Sequence, residues 1–206
     1  MEEDRKKSVF MTGFGRFHGV EENPSSILVG DFLAQGVPGV DIVERCYDMQ
    51  VLDVDVPHCQ AYFEGIKHRD GDIFVHIGVN GRTDVINLEK FAYNNMNFRV
   101  PDESGFCPSD ELIDRECTLD QLLGTELDVD KIVAELQADG LPFVVSTDPG
   151  RFICNYIYYT SLQNLSRTGC TRKSVFVHIP PFDKIDRETQ LRALRALIVK
   201  LYNDHR

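Results

Sequence analysis

Val144-Val145-Ser146-Thr147-Asp148-Pro149-Gly150-Arg151-Phe152-Ile153-Cys154-Asn155 joins an apolar, β-branched run to a helical pattern across a Pro-Gly break. Strands that feed helices in this way build an α/β sheet with helices on both faces. The run reads as a strand over Leu141 to Ser146 and a helix over Phe152 to Leu165, and Val175 to Ile179 supplies the next strand. A last helix follows with Leu191, Leu194, Ile198 and Leu201 on one face.

The same alternation extends upstream. Val9 to Phe14 reads as the first strand, and Pro24 and Ser25 open a helix through Ile27, Leu28, Phe32 and Leu33, with proline suited to an early helical position. Strand-like runs recur at Val40 to Tyr47 and Asp72 to Val79. Between them Gln60 to Lys67 reads as helix, with Gly71 at its exit. Val85 to Tyr93 reads as one or two short strands. Pro101 to Asp130 is acidic with Arg115 as its sole basic residue, so its earlier part, around 101–127, reads as a solvated surface excursion before a helix over Val129 to Ala138. The fold class is α/β.

The chain has 206 residues, 42% of them hydrophobic, enough for one large domain with a sizeable core. Its net charge of -11 lacks a compensating basic stripe, which argues against a nucleic-acid partner. The charged start, Met1-Glu2-Glu3-Asp4-Arg5-Lys6-Lys7, is unlike a secretory signal, and no apolar run is long enough to span a bilayer. We therefore expect a cytosolic protein with no membrane partner. Cys46, Cys59, Cys107, Cys117, Cys154 and Cys170 form no CxxC pair and no zinc-site spacing, so no metal is expected and most of the thiols are expected to be free.

Cys154 stands apart from the other cysteines because it falls where the helix starts. Unpaired backbone N–H groups and the positive end of the helix dipole favour thiolate there. A buried thiol that merely packs is the commoner role of a cysteine. His178 ends an apolar run, Val175-Phe176-Val177-His178-Ile179-Pro180-Pro181, so two strands can deliver a nucleophile and a base to one sheet edge. His76 sits in a strand as well, but further from its end. The base needs a carboxylate to orient it, and Glu89, Asp148 and Asp183 all remain candidates. Arg99 suits either a carboxylate contact or loop support.

Thr12-Gly13-Phe14-Gly15-Arg16-Phe17-His18-Gly19 follows the first strand but fails as a phosphate loop: His18 replaces the last glycine of GxGxxG, and no GK[ST] follows. Phe14 and Phe17 suit either core packing or contact with a small, flat, apolar group.

Taken together, these segments resemble the pyroglutamyl-peptidase I family of cytosolic pyrrolidone-carboxylate cysteine peptidases over nearly the whole chain. Four blocks carry the resemblance: Thr12-Gly13-Phe14-Gly15-Arg16-Phe17 with Asn23-Pro24-Ser25; His76-Ile77-Gly78-Val79 through Leu88-Glu89-Lys90; Gly150-Arg151-Phe152-Ile153-Cys154 with Tyr158-Tyr159-Thr160-Ser161-Leu162; and Phe176-Val177-His178-Ile179-Pro180-Pro181. The last two, with Leu88-Glu89-Lys90, look most like the animal branch.

The resemblance implies a three-layer α/β/α sandwich with a mixed, mostly parallel sheet, related to phosphorylases. It implies Cys154 as nucleophile, His178 as base and acid, and Glu89 as the orienting residue. Phe14, Phe17, Phe152 and Ile153 would hold a pyrrolidone ring, supported by Asn23, Arg99 and Val100. It further implies pyroglutamyl-blocked peptides as substrates, no cofactor, and a monomer as in animal relatives, with an oligomer as in bacterial ones the alternative. Arg16 stands where proline is usual, and Pro149 where a small residue is. Pro149 has no N–H to offer an oxyanion, which leaves amides such as those of Arg151 or Cys154. The Asp148 carboxylate opposes thiolate unless it is paired or turned away. These departures motivate a rival reading, a retired relative that binds blocked N-termini without cleaving them. A nucleoside phosphorylase would rest on fold alone.

Overall fold

A computed structural model describes residues 9–17, 19–37, 47–66, 73–168 and 173–204. Its main sheet is built from β1 (Val9–Phe14), β2 (Tyr47–Leu52), β3 (Ile73–Val79), β4 (Ile86–Glu89), β7 (Phe143–Ser146) and β8 (Lys173–Ile179), in the order β2-β1-β3-β8-β4-β7. Every pairing in it is parallel except β4 with β8, which is antiparallel. Two short strands, β5 (Phe91–Tyr93) and β6 (Leu122–Gly124), form a separate antiparallel pair. The helices are α1 (Pro24–Gln35), α2 (Val56–Ile66), α3 (Val129–Ala138), α4 (Ile153–Thr168) and α5 (Arg187–Asn203). No helix among the described residues is long and apolar enough to cross a membrane.

Period-two alternation divides the apolar residues of the central strands between two cores. Met11, Val75, Ile77, Val175 and Val177 meet Leu28 and Phe32 of α1, Leu136 of α3 and Leu194 of α5. Phe10, Phe14, Phe74 and Phe176 meet Cys59 and Phe63 of α2 and Ile157 and Leu162 of α4. The result is a sheet between helical layers, α1, α3 and α5 on one side and α2 and α4 on the other. His76 and His178 share the parity of Phe74 and Phe176, so both histidines face the α2/α4 layer.

The structure places most elements where the sequence does, with three differences. Val40 to Cys46 lies outside the described residues, and the strand that pairs with β1 runs from Tyr47 to Leu52. Its apolar pattern is interrupted by Asp48 and Gln50, as befits a sheet-edge strand whose Val51 is exposed. Helix α2 begins at Val56, four residues earlier than expected, because Asp55 Oδ1 accepts from His58 N at 2.7 Å and caps its first turn; Lys67 and Gly71 lie outside the described residues. The acidic excursion is largely exposed but is not a free loop. Asp102 is buried and accepts from Ser104 N at 3.0 Å, Phe106 N at 2.8 Å and Val56 N at 3.1 Å, fastening the excursion to the start of α2. Further along, β6 pairs with β5.

The loop after β1 is bound tightly to α1. Asn23 caps α1 by accepting from Ser25 N at 3.1 Å while its amide donates to Gly15 O at 2.9 Å, and Ser25 Oγ accepts from Phe14 N at 2.9 Å. The approach is so close that a Cβ on Gly13 would lie 2.7 Å from Ser25 O and 3.0 Å from Val29 Cγ2. Gly13→Ala is therefore expected to lose about 1–3 kcal/mol in urea unfolding through overpacking. In contrast, Gly30→Ala on α1, where a Cβ meets nothing within 4 Å, is expected to gain about 0.5–1 kcal/mol from helix propensity. Equal midpoints for the two variants would contradict this account of the β1–α1 contact.

Candidate active site

The elements that could carry chemistry converge at the carboxyl ends of β1, β3 and β8, the edge where open α/β sheets place ligands. Gly78 of β3 stands opposite His178 of β8 in the parallel register. A Cβ on Gly78 would lie 3.0 Å from Cys154 Sγ and 2.7 Å from the Phe176 ring, so the missing side chain is what lets the thiol settle over these two strands. Helix α4 delivers that thiol in its first turn. The bond from Tyr156 N to Phe152 O, at 3.1 Å, comes after the amides of Ile153, Cys154 and Asn155, whose N–H groups lie in the positive end of the helix.

On the other side of His178 lies β4, which runs antiparallel to β8. Glu89 pairs with Phe176, which places its side chain diagonal to His178 on the same face. Glu89 Oε1 and His178 Nδ1 are 2.8 Å apart, and both residues are buried. Nδ1 is thereby committed to the carboxylate, leaving Nε2 to face the Cys154 sulfur, which acts on the ring strongly enough to raise its proton affinity. Glu89 Oε2 is buried without a hydrogen-bond partner, so the carboxylate depends on His178 for its compensation. Burial acts to lower the His178 pKa, but the charge and hydrogen bond of Cys154 and then those of Glu89 outweigh it and push the imidazole up to about 9.

The other sequence candidates separate cleanly. His76 is buried among Tyr62, Phe63, Phe74 and Phe176, with Nδ1 2.8 Å from Thr12 Oγ1, and burial lowers its pKa to about 3; it is a neutral core histidine. Asp183 is exposed. Asp148 is turned into its own loop, accepting from Arg151 at 2.6 Å and from Gly150 N at 3.0 Å. Its charge is thus paired, which answers the concern that it would oppose a thiolate.

An aromatic wall runs beside Cys154. Phe17 packs on Phe152 with ring centroids 5.1 Å apart, Phe152 on Phe98 at 4.7 Å, and Phe98 on Phe106 at 6.0 Å. Phe14 and Ile153 are buried in the same core. Asn23 acts behind the wall, through Gly15 and Ser25. Val100 is half-buried, and Arg99 is exposed, with no ion pair among the described residues. No group of His, Cys, Asp and Glu among the described residues is arranged to hold a metal ion.

Sequence reasoning passed over three residues here. Gly78 stood in a quoted segment without a role, although a glycine inside a strand is itself a sign of close approach. Asn155, next to the nucleophile candidate, carries no local signal, since its partners lie far away in sequence, and Asp102 binds the nearby amides of Ser104 and Phe106 but reaches α2 only through the distant Val56.

The chain also has extensive relatives. A family model described as pyroglutamyl peptidase matches residues 7–193. Human pyroglutamyl-peptidase 1 is 32% identical over 97% of this chain and 91% of its own length. The pyrrolidone-carboxylate peptidase of Bacillus subtilis is 30% identical over 94% and 92%. Among solved structures, pyrrolidone carboxyl peptidase from Fervidobacterium islandicum superimposes with a TM-score of 0.86 at 27% identity, covering 96% of this chain and 99% of that one. Pyroglutamyl peptidase I from Bacillus amyloliquefaciens gives 0.81 at 26% identity, covering 96% and 97%. With its family model matched from residue 7 to residue 193 and relatives aligned along nearly its whole length, the chain belongs to the pyroglutamyl peptidase family.

Proposed function

We propose that this protein is a cysteine exopeptidase that hydrolyses the amide bond after an N-terminal pyroglutamyl residue, with Cys154 as nucleophile, His178 as acid and base, and Glu89 orienting His178. The observation that carries the assignment of roles is the buried His178–Glu89 hydrogen bond with the half-buried Cys154 thiol, from the first turn of α4, set over Gly78 beside it. Family membership supplies the substrate class.

In the reaction, Cys154 Sγ attacks the carbonyl carbon of the pyroglutamyl residue. As the S–C bond forms, the carbonyl electron pair moves onto oxygen, where first-turn amides such as that of Cys154 stabilise it. Collapse of this oxyanion breaks the C–N bond, and His178 Nε2–H protonates the departing amine. A thioester remains. Water then attacks it while His178 Nε2 takes the proton, and the second collapse releases pyroglutamate and restores the thiolate. Glu89 keeps Nδ1 occupied throughout, fixing the ring and stabilising its cationic form.

Selectivity follows from the wall of Phe17, Phe152 and Phe98. A flat, uncharged lactam gains apolar contact there, whereas the ammonium of a free N-terminal residue would be desolvated without a counter-ion, since the nearby Asp148 carboxylate is already paired with Arg151. That pairing also removes the main motive for a retired enzyme. The reading extends to a cytosolic location, which the free thiols of Cys59, Cys107 and Cys154 suit.

Under reducing conditions, turnover is expected for a pyroglutamyl arylamide and not for its prolyl or glutaminyl analogues; no release from the pyroglutamyl compound would sink the proposal. Cys154→Ala is expected to lower kcat by about a thousandfold or more, and near-normal activity in that variant would move the nucleophile elsewhere. The pH dependence has a defined sign. Because the folded-state pKa of His178 is raised from 6.5 to about 9, the contribution of its cation to stability and to leaving-group protonation is fully present below about 6.5 and is lost as pH rises through about 9. The alkaline limb of kcat/KM is therefore expected near pH 9, and Glu89→Gln, which removes one of the charges holding the proton, is expected to move it to lower pH. An unmoved limb would separate Glu89 from His178.

A further inference from the structure

Asn155 follows Cys154 directly, yet its side chain points away from the thiol and is fully buried. Its Oδ1 accepts from Tyr93 N at 2.8 Å, and its Nδ2 donates to Tyr93 O at 2.8 Å and to Asn95 O at 3.0 Å. An amide can both accept and donate, so Asn155 pairs with Tyr93 as a neighbouring strand would, on the edge of β5 that β6 leaves open. β6 takes the other edge, pairing Leu122 with Tyr93.

Three further contacts tie the same segment to the nucleophile's surroundings. The Tyr93 hydroxyl donates to Thr147 O at 2.9 Å, its ring lies 3.7 Å beneath the Arg151 guanidinium carbon, and Asn97 N donates to Arg151 O at 3.1 Å. One turn further along α4, on the face that carries Asn155, the buried Tyr158 hydroxyl donates to Glu89 O at 2.9 Å. The helix that carries Cys154 thus grips the segment that begins with Glu89 at residues 89, 93 and 95. Glu89 reaches Cys154 by two routes: through the His178 side chain, and through the backbone held by Asn155 and Tyr158.

We propose that Asn155 is a positioning residue that, by pairing with Tyr93 and Asn95, sets Cys154 in register with His178 and Glu89. This rests on the reading of Cys154 as nucleophile. Among the described residues the leading amides of α4 make no backbone hydrogen bond to this segment, whose backbone tie, Asn97 N to Arg151 O, lies just before the helix. Without the Asn155 amide, α4 can shift along the segment, and the sulfur moves relative to a ring that Glu89 holds still. Displacements of about 1 Å at a reacting atom cost on the order of a hundredfold in rate.

The test compares wild type with Asn155→Ala and the milder Asn155→Ser, which is too short to reach Tyr93. Three readouts are taken: thermal midpoint, steady-state kinetics on a pyroglutamyl arylamide across pH, and the rate of Cys154 alkylation by iodoacetamide, followed by mass spectrometry. Expected are a kcat lower by on the order of a hundredfold with KM within about threefold, an alkaline limb moved to lower pH because His178 loses the sulfur's field, and alkylation near neutral pH slower by on the order of tenfold. A general loss of stability would leave the limb and the alkylation rate of the folded fraction unchanged. A folded variant with wild-type kcat, limb and alkylation rate overturns the proposal. If Asn155→Ala does not fold, the serine variant decides on the same criteria. If the wild type turns over no pyroglutamyl substrate, the functional reading fails by itself, and equal alkylation of Cys154 in wild type and variant would overturn the role of Asn155 independently.

Discussion

The hydrogen bond between His178 Nδ1 and Glu89 Oε1 organises the site, because both groups are buried and each is costly without the other. An ionised carboxylate inside a protein must be compensated, and removing one partner of such a pair costs about 3–5 kcal/mol. Since Glu89 Oε2 has no hydrogen-bond partner, the imidazole answers for the whole carboxylate. The same contact raises the proton affinity of the ring, and the Cys154 sulfur raises it further. The contact with Glu89 selects which ring nitrogen faces the thiol, and Cys154 and Glu89 together keep the ring protonated at neutral pH.

The mixed character of the sheet follows from this arrangement. A parallel β4 would enter the edge from the same direction as β8. The observed antiparallel strand instead sets Glu89 opposite Phe176, diagonal to His178, and the chain then leaves toward β5, where α4 takes hold of it. The helical grip, the glycine at position 78 and the helix start at Ile153 together place a thiol, a base and an acid from three distant parts of the chain at one edge.

Around that centre, the aromatic wall is held from behind. Asn23 and Ser25 fasten the loop carrying Phe14 and Phe17, and Asp102 fastens the turn carrying Phe106, which backs Phe98 and Phe152. These polar residues contribute through backbone contacts that fix where aromatic rings can lie. Substituting them would loosen a wall without touching Cys154, His178 or Glu89.

Local pattern alone was enough to read β1, β3, β8 and the helices α1, α3, α4 and α5, because period-two and helical spacing of apolar residues are properties of neighbours in the chain. It also singled out Cys154, since a Pro-Gly break followed by a helix defines a helix start. Edge strand β2 goes unread where polar residues interrupt the apolar pattern, and the start of α2 is read four residues late because a side-chain cap moves the boundary. The choice of Glu89 over Asp148 and Asp183 needed the family resemblance, and in the structure it depends on the antiparallel pairing of β4 with β8. The neutrality of His76, the clearance at Gly78 and the grip of Asn155 belong to tertiary structure alone. Each depends on distances and burial between segments remote in sequence, and those are settled only when the sheet order and the helix packing bring the segments together.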